Sequence, residues 1–240
     1  IATTVRARPD AGFSIAKYQG DGSTSGPSIA HNLGTKPAFV IIKNLDGSQS
    51  YPDYYVKHKD IGDNYNIRLN LYTGRELATG SGSWYQGGIG NLDDANVISF
   101  LTGSQTSTDN VNKNGVNYIA YCWAERENYS KMSSYVGSGN QQLVYLGFMP
   151  AWLMIKRYTD NTVGEWTIYD TARAPFNEVQ KKLWANNAST QEDHPNNSID
   201  IVSNGFVVDP GSDAPNVQYT NNGNVGYLYV AFAQNPFASN

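Results

Sequence analysis

Short apolar stretches of strand length alternate with polar, glycine-rich punctuation along the whole chain. Phe13-Ser-Ile-Ala-Lys-Tyr18 alternates apolar and polar side chains, which predicts a half-buried strand. Gly20-Asp-Gly22 follows, with glycines able to take positive φ and end it. Phe39-Val-Ile-Ile42 is an unbroken apolar run behind Pro37 and predicts a fully buried central strand. Residues 54–58, 66–72, 97–101 and 118–124 complete a first set of strands. A second set covers 132–136, 152–155, 166–169, 182–185, 199–202, 206–208 and 227–233. Helical periodicity is scarce; residues 177–184 read equally as one short helix or as a loop leading into a strand. About six or seven strands per set, with turn signals between them, is the pattern of a sandwich rather than a βαβ fold.

The two sets repeat one another. Lys36-Pro-Ala-Phe-Val-Ile-Ile-Lys43 returns as Met149-Pro-Ala-Trp-Leu-Met-Ile-Lys156, displaced by 113 positions (149 − 36). Tyr18-Gln-Gly-Asp-Gly22 returns as Tyr135-Val-Gly-Ser-Gly139, displaced by 117 (135 − 18). Tyr118-Ile-Ala-Tyr-Cys-Trp-Ala-Glu125 returns as Tyr227-Leu-Tyr-Val-Ala-Phe-Ala-Gln234, displaced by 109 (227 − 118). Blocks that keep their order while the displacement drifts are what loop insertions in a duplicated unit produce. The expected architecture is therefore all-β: two homologous, closely packed β-sandwich units of jelly-roll or lectin-like type, arising from an internal duplication. Residues 1–11 form an extended entry segment without a core pattern, 12–128 the first unit and 129–240 the second. Only Glu125-Arg-Glu-Asn-Tyr-Ser130 joins them, so short a link that the units either pack closely or exchange strands to complete one sandwich.

Composition narrows the partners. Charged residues are 16% of the 240, below the roughly 25% of an average soluble domain. The deficit is filled by Gly, Asn, Ser and Thr beside 17 Tyr and 5 Trp, as in adaptable binding surfaces and long-looped β-proteins. The net charge of −4 and the lack of any Lys/Arg stripe argue against nucleic acid. Apolar runs such as 38–42 and 151–155 are far too short to insert into a bilayer. The chain starts at Ile1 rather than Met, which reads as a fragment or processed product.

Reactive chemistry finds little support. Cys122 lies in an apolar strand and reads as a buried structural thiol. His31, His58 and His194 belong to no zinc-binding helix and are expected on the surface or in turns. Asp93-Asp94 and Glu192-Asp193 are loop neighbours, which does not establish the facing carboxylates of a glycosidase. Glu125 and Glu165 flank strands carrying Trp123 and Trp166; that pairing suits a sugar, but strand-edge packing is the preferred reading. Asp209 and Asp213 offer oxygen ligands for Ca²⁺ in a loop better read as a plain turn. No phosphate loop, dinucleotide fingerprint, nucleophile elbow or C-x-x-C pair occurs, so no cofactor is expected. What remains is loop surface at 80–90, 103–117, 186–198 and 211–224. Aromatic rings beside amides suit sugars, and Trp84, Tyr85, Asn186 and Asn187 are the expected contacts.

Several blocks resemble a duplicated β-domain family found in virion proteins of tailed bacteriophages, notably marine and cyanobacterial phages. They are Gly12-Phe-Ser-Ile-Ala-Lys-Tyr-Gln-Gly-Asp-Gly-Ser23, His31-Asn-Leu-Gly-Thr-Lys-Pro-Ala-Phe-Val-Ile-Ile-Lys43, Tyr118–Glu125, Ser133-Ser-Tyr-Val-Gly-Ser-Gly139, Met149–Arg157, Trp166-Thr-Ile-Tyr-Asp-Thr-Ala-Arg173, Ser203-Asn-Gly-Phe206 and Ala231-Phe-Ala-Gln-Asn-Pro-Phe237, spanning residues 11–237. The stretch 48–54, with Pro52, departs from the simple hairpin expected there. The resemblance implies a non-enzymatic module of tail fibres or other appendages, located on the virion and extracellular. Its partners would be a host-surface glycan or protein and other virion proteins, in a homo-oligomer for which a trimer is the natural candidate. A capsid or tail scaffold role, or a carbohydrate-binding module of a carbohydrate-active enzyme, are the alternatives.

Overall fold

The computed structural model describes residues 1–47, 54–79, 87–102, 109–160, 164–193, 198–209 and 219–236. The first half of the chain supplies strands β1 (Thr3–Arg8), β2 (Phe13–Gln19), β3 (Ser28–Ala30), β4 (Phe39–Asn44), β5 (Tyr54–His58), β6 (Tyr65–Arg68), β7 (Glu76–Leu77), β8 (Gly88–Ile89), β9 (Val97–Leu101) and β10 (Asn117–Trp123). The second supplies β11 (Ser130–Val136), β12 (Gln142–Tyr145), β13 (Pro150–Arg157), β14 (Trp166–Asp170), β15 (Lys181–Trp184), β16 (Glu192–Asp193), β17 (Ile199–Val202), β18 (Gly205–Val208) and β19 (Gly226–Ala233). All pairings between these strands are antiparallel. A four-residue helix, α1 (Asp109–Asn112), a 3-10 turn (Pro9–Ala11) and 3-10 geometry at Tyr219 are the helical structure among the described residues. The protein is all-β, as the alternating pattern predicts.

The chain divides into two compact units, Ile1–Leu69 with Arg75–Glu125, and Arg126–Asn240 with the short segment Asn70–Gly74. In the first, a large sheet has the order β1-β2-β10-β4-β5-β6-β7 and a small one the order β3-β9-β8. In the second, the large sheet runs β11-β19-β13-β14-β15-β16 and the small one β12-β18-β17. Apart from β1, each strand of one unit has a counterpart at the same place in the other.

Each unit closes its sheets over a core of its own. Ala16, Tyr18, Val40, Ile42, Tyr118 and Ala120 of the large sheet meet Ile29, Ile98 and Phe100 of the small one. Tyr135, Leu153, Ile155, Tyr227 and Ala231 likewise meet Val144, Ile201, Phe206 and Val208. Tyr18 stacks on Tyr118 with ring centroids 5.2 Å apart, and Tyr135 on Tyr227 at the same distance. The buried hydroxyls need partners. Tyr18 Oη donates to the Val111 carbonyl and Tyr135 Oη to that of Thr220, while Tyr118 and Tyr227 Oη accept from Lys113 N and Asn222 N. Asn66 and Asn177 each clamp one residue of the small sheet, Ile89 and Ile201, by accepting its N–H and donating to its carbonyl.

Some elements depart from the sequence reading. The entry segment is a full edge strand: Thr3–Arg8 pairs with β2 from Thr3↔Tyr18 to Arg8↔Phe13, which its mixed polar composition hides. Residues 177–184 hold no helix; Val179 bridges to Ile199 and the strand β15 follows. The strand expected over 66–72 stops at Arg68, and Asn70–Gly74 joins the second unit, where Tyr72 O accepts from Lys156 Nζ at 2.8 Å. Strands β3 and β8 are too short to show a period. Residues 48–53, the irregular stretch around Pro52, lie outside the described residues.

Candidate functional site

His31 follows β3 and His58 ends β5, and neither is on the surface or in a turn: both are fully buried. Each ring Nδ1 accepts the backbone N–H two residues on, from Leu33 at 3.3 Å and Asp60 at 3.2 Å, so they brace tight turns from inside. Burial lowers the His31 pKa, opposed by the neighbouring Asp94 backbone and carboxylate. Cys122 is fully buried and burial pushes its thiol up to about 12, which removes the thiolate that nucleophilic chemistry needs. Trp123 packs on Phe13 and Phe39 at 5.1 and 5.5 Å between centroids, and Trp166 is buried. Both tryptophans thus belong to packing rather than to an open acid–aromatic pair.

Of the expected contacts, Trp84 and Tyr85 lie outside the described residues, as do Asp213 and His194. Asn186 and Asn187 follow β15. Asn186 Oδ1 accepts Trp166 N at 2.9 Å and its Nδ2 donates to Glu165, so its amide is used within the fold. Asn187 Oδ1 takes both the N–H and the hydroxyl of Ser189, at 2.9 and 2.7 Å. Asp209 accepts from Gln141 Nε2 at 3.0 Å. No cluster of three or more His, Cys, Asp or Glu able to hold a metal occurs among the described residues.

A different set of residues forms a cleft of about 320 Å³ in the second unit. Three local structures build it. The edge strand β12 alternates, so Val144 enters the core while Tyr145 points outward. The β17–β18 hairpin follows, and its Asn204 carbonyl accepts Leu146 N and Gly147 N at 2.9 and 3.1 Å, which folds the chain after β12 against it. Gly147 has φ +90°, a conformation open to glycine, and it sits beside the Tyr145 ring. Gln234 N donates to Met149 O at 2.9 Å and brings the end of β19 to the same place.

The lining combines Tyr145, Phe148 and Met149 with the amides of Asn128, Asn204 and Asn235. Among the described residues, none of those three side-chain amides has a hydrogen-bond partner. Tyr145 is 61% exposed, and Lys131 Nζ reaches its backbone carbonyl at 3.1 Å. Among the described residues the lining has no carboxylate. It can stack an apolar ring face and bond hydroxyls. In sequence these asparagines look like any of the chain's other loop asparagines. What separates them is which amides the fold consumes, and that only the coordinates display.

No curated protein and no solved structure matches the chain. The family model described as a domain of unknown function, DUF7483, matches residues 1–236, and the chain belongs to that family.

Proposed function

We propose that this protein is a non-enzymatic module of a tailed-phage virion, an adhesion domain of a tail fibre or appendage that binds a host-surface glycan or protein. One observation carries the reading: an open cleft in the second unit pairs exposed aromatic and thioether groups with three amides that have no partner, and with no carboxylate, among the described residues. Its lining exposes more polar than apolar surface, which suits a hydroxyl-rich ligand better than an apolar one. The resemblance of residues 11–237 to virion β-domains supplies the biological setting. Adhesion of this kind needs no chemistry, because weak sites on several fibres gain avidity through effective concentration. The matching strand orders, tyrosine stacks and asparagine clamps support descent of the two units from one duplicated segment.

Phe176, 82% exposed, favours a second reading as a scaffold protein whose surface contacts neighbouring subunits. Binding of the chain to marine and cyanobacterial envelope fractions separates the two. Adhesion predicts saturable binding, weakened by Tyr145→Ala. Failure to bind any envelope fraction moves the weight to the scaffold. Binding that Trp84→Ala and Tyr85→Ala leave unchanged removes those two side chains from the contact surface.

A further inference from the structure

The two units share a scaffold, so the cleft can be compared with the same place in the first unit. Three backbone contacts fix the alignment. His31 N donates to Asn96 O at 3.0 Å as Leu146 N does to Asn204 O, which sets Ala30 at the position of Tyr145. Ile29 and Val144, the preceding residues, are both buried centres of their short strands, paired with Ile98 and Phe206. Ala124 N donates to Gly12 O as Ala233 N does to Tyr129 O, both at 2.8 Å, which sets Ala11 at the position of Asn128. The Lys36-Pro37 and Met149-Pro150 steps coincide, and Lys36 is engaged with Asp93 at 3.1 Å. The first unit therefore has alanine for the tyrosine, alanine for one free amide and a salt-bridged lysine for the methionine. Backbone contacts and one exposed amide, Asn96 at the position of Asn204, are kept in both units, while the ring, the Asn128 amide and the thioether occur in one.

We infer that the cleft bounded by Tyr145, Met149, Asn128 and Asn204 takes a neutral saccharide unit, and that each chain carries one such site, in the second unit. This deepens the adhesion reading and rests on it. Amides that both donate and accept match hydroxyl groups, and an aromatic ring matches the apolar face of a pyranose. An acidic sugar would instead call for a cation aimed into the site, and the lining holds none among the described residues. Lys131 Nζ lies over one face of the Tyr145 ring, 5.5 Å from its centroid, and bonds the Tyr145 backbone carbonyl; it is not among the residues that line the cleft. The volume, near the lower end of the roughly 300–1,000 Å³ of ligand sites, suits one or two sugar rings rather than a long polymer groove.

The test is a glycan array of neutral and acidic oligosaccharides probed with the whole chain, followed by calorimetric titration of the best binder. The expected result is a neutral glycan bound at one site per chain. Tyr145→Ala should weaken it about five- to tenfold, the scale of one lost ring contact. Asn204→Ala should weaken it similarly, while Val136→Ala, an exposed change outside the cleft, leaves it unaltered and all three variants keep the parent melting temperature. Binding restricted to acidic glycans and lost in Lys131→Met overturns the neutral assignment. Two sites per chain, or affinity that Tyr145→Ala does not change, overturns the location. In all of these the chain still binds glycans, so adhesion stands. A chain that binds no glycan on the array refutes both the inference and the glycan branch of the adhesion reading.

Discussion

Lys156 and Lys57 place ammonium groups where water does not reach. Lys57 Nζ is held by three backbone carbonyls, of Gly62, Asp63 and Tyr65, at 2.8, 2.6 and 2.9 Å. Lys156 Nζ donates to the carbonyls of Tyr72 and Gly164. Burial dominates all the same and lowers Lys57 to about 8, against help from Asp63. It lowers Lys156 to about 7, with Glu165 and Asp160 opposing the fall and Arg157 adding to it. The unfolded chain keeps these lysines near pKa 10.4. Between about 7 and 10 it therefore binds more protons than the native state, and stability rises with pH. Cys122 has the opposite sign: at about 12 when folded and roughly 8.5 when unfolded, it costs stability from about pH 8.5 upward. Urea midpoints measured at successive pH values should climb from about 7 to 8.5, and Lys156→Met should flatten the lower part of that climb. A midpoint that falls over this interval in the parent protein contradicts the assignment.

At the scale of elements, one device recurs at the mouth of each core. Asn112, fully buried, accepts Asp21 N at 3.0 Å and donates to Ser23 O at 3.2 Å, tying the turn after β2 to the end of α1. Asn221, also fully buried, accepts Ser138 N at 3.0 Å and donates to Asn140 O at 2.6 Å, tying the turn after β11 to the approach to β19. Gly20 and Gly137 let these turns close. An added Cβ would stand 2.2 Å from Lys113 O in one and 2.4 Å from Asn222 O in the other. Replacing either asparagine by alanine breaks two side-chain to backbone hydrogen bonds of about 0.5–1.5 kcal/mol each, a loss of about 1–3 kcal/mol. Chemical denaturation should show Asn112→Ala and Asn221→Ala within that range, while Asn187→Ala, in an exposed turn, should cost less. The sequence exposes half of this device. Gly20, Gly22, Gly137 and Gly139 announce the turns, but Asn112 and Asn221 sit about 90 and 80 residues away from them, and nothing local marks which asparagine is the brace.

For the whole molecule, the ladder order sets where protection should be greatest. Strands β10 and β4 in one unit, and β19 and β13 in the other, are flanked on both sides and paired along most of their length. Edge strands β1, β7 and β16 are paired on one side and partly exposed. Local opening is easiest where contacts are fewest. Native-state hydrogen exchange should therefore find the slowest amides in those four central strands, two in each unit, and the fastest strand amides at the edges. Slow exchange confined to one unit would show that the second core is not independently well packed.

The sequence by itself determined that this is an all-β chain with two recurring sets of strands, because side-chain alternation and buried apolar runs act locally and survive in any context. It also placed Cys122 in a core and the paired tyrosines in matching blocks. Tertiary structure alone decided that the entry segment completes a sheet, that residues 70–74 join the second unit, and that Asn186 is consumed while Asn128, Asn204 and Asn235 bond no described residue through their amides. Those outcomes depend on which distant backbone groups come within hydrogen-bonding reach. An asparagine's fate is set by that neighbourhood and not by the residues beside it in the chain.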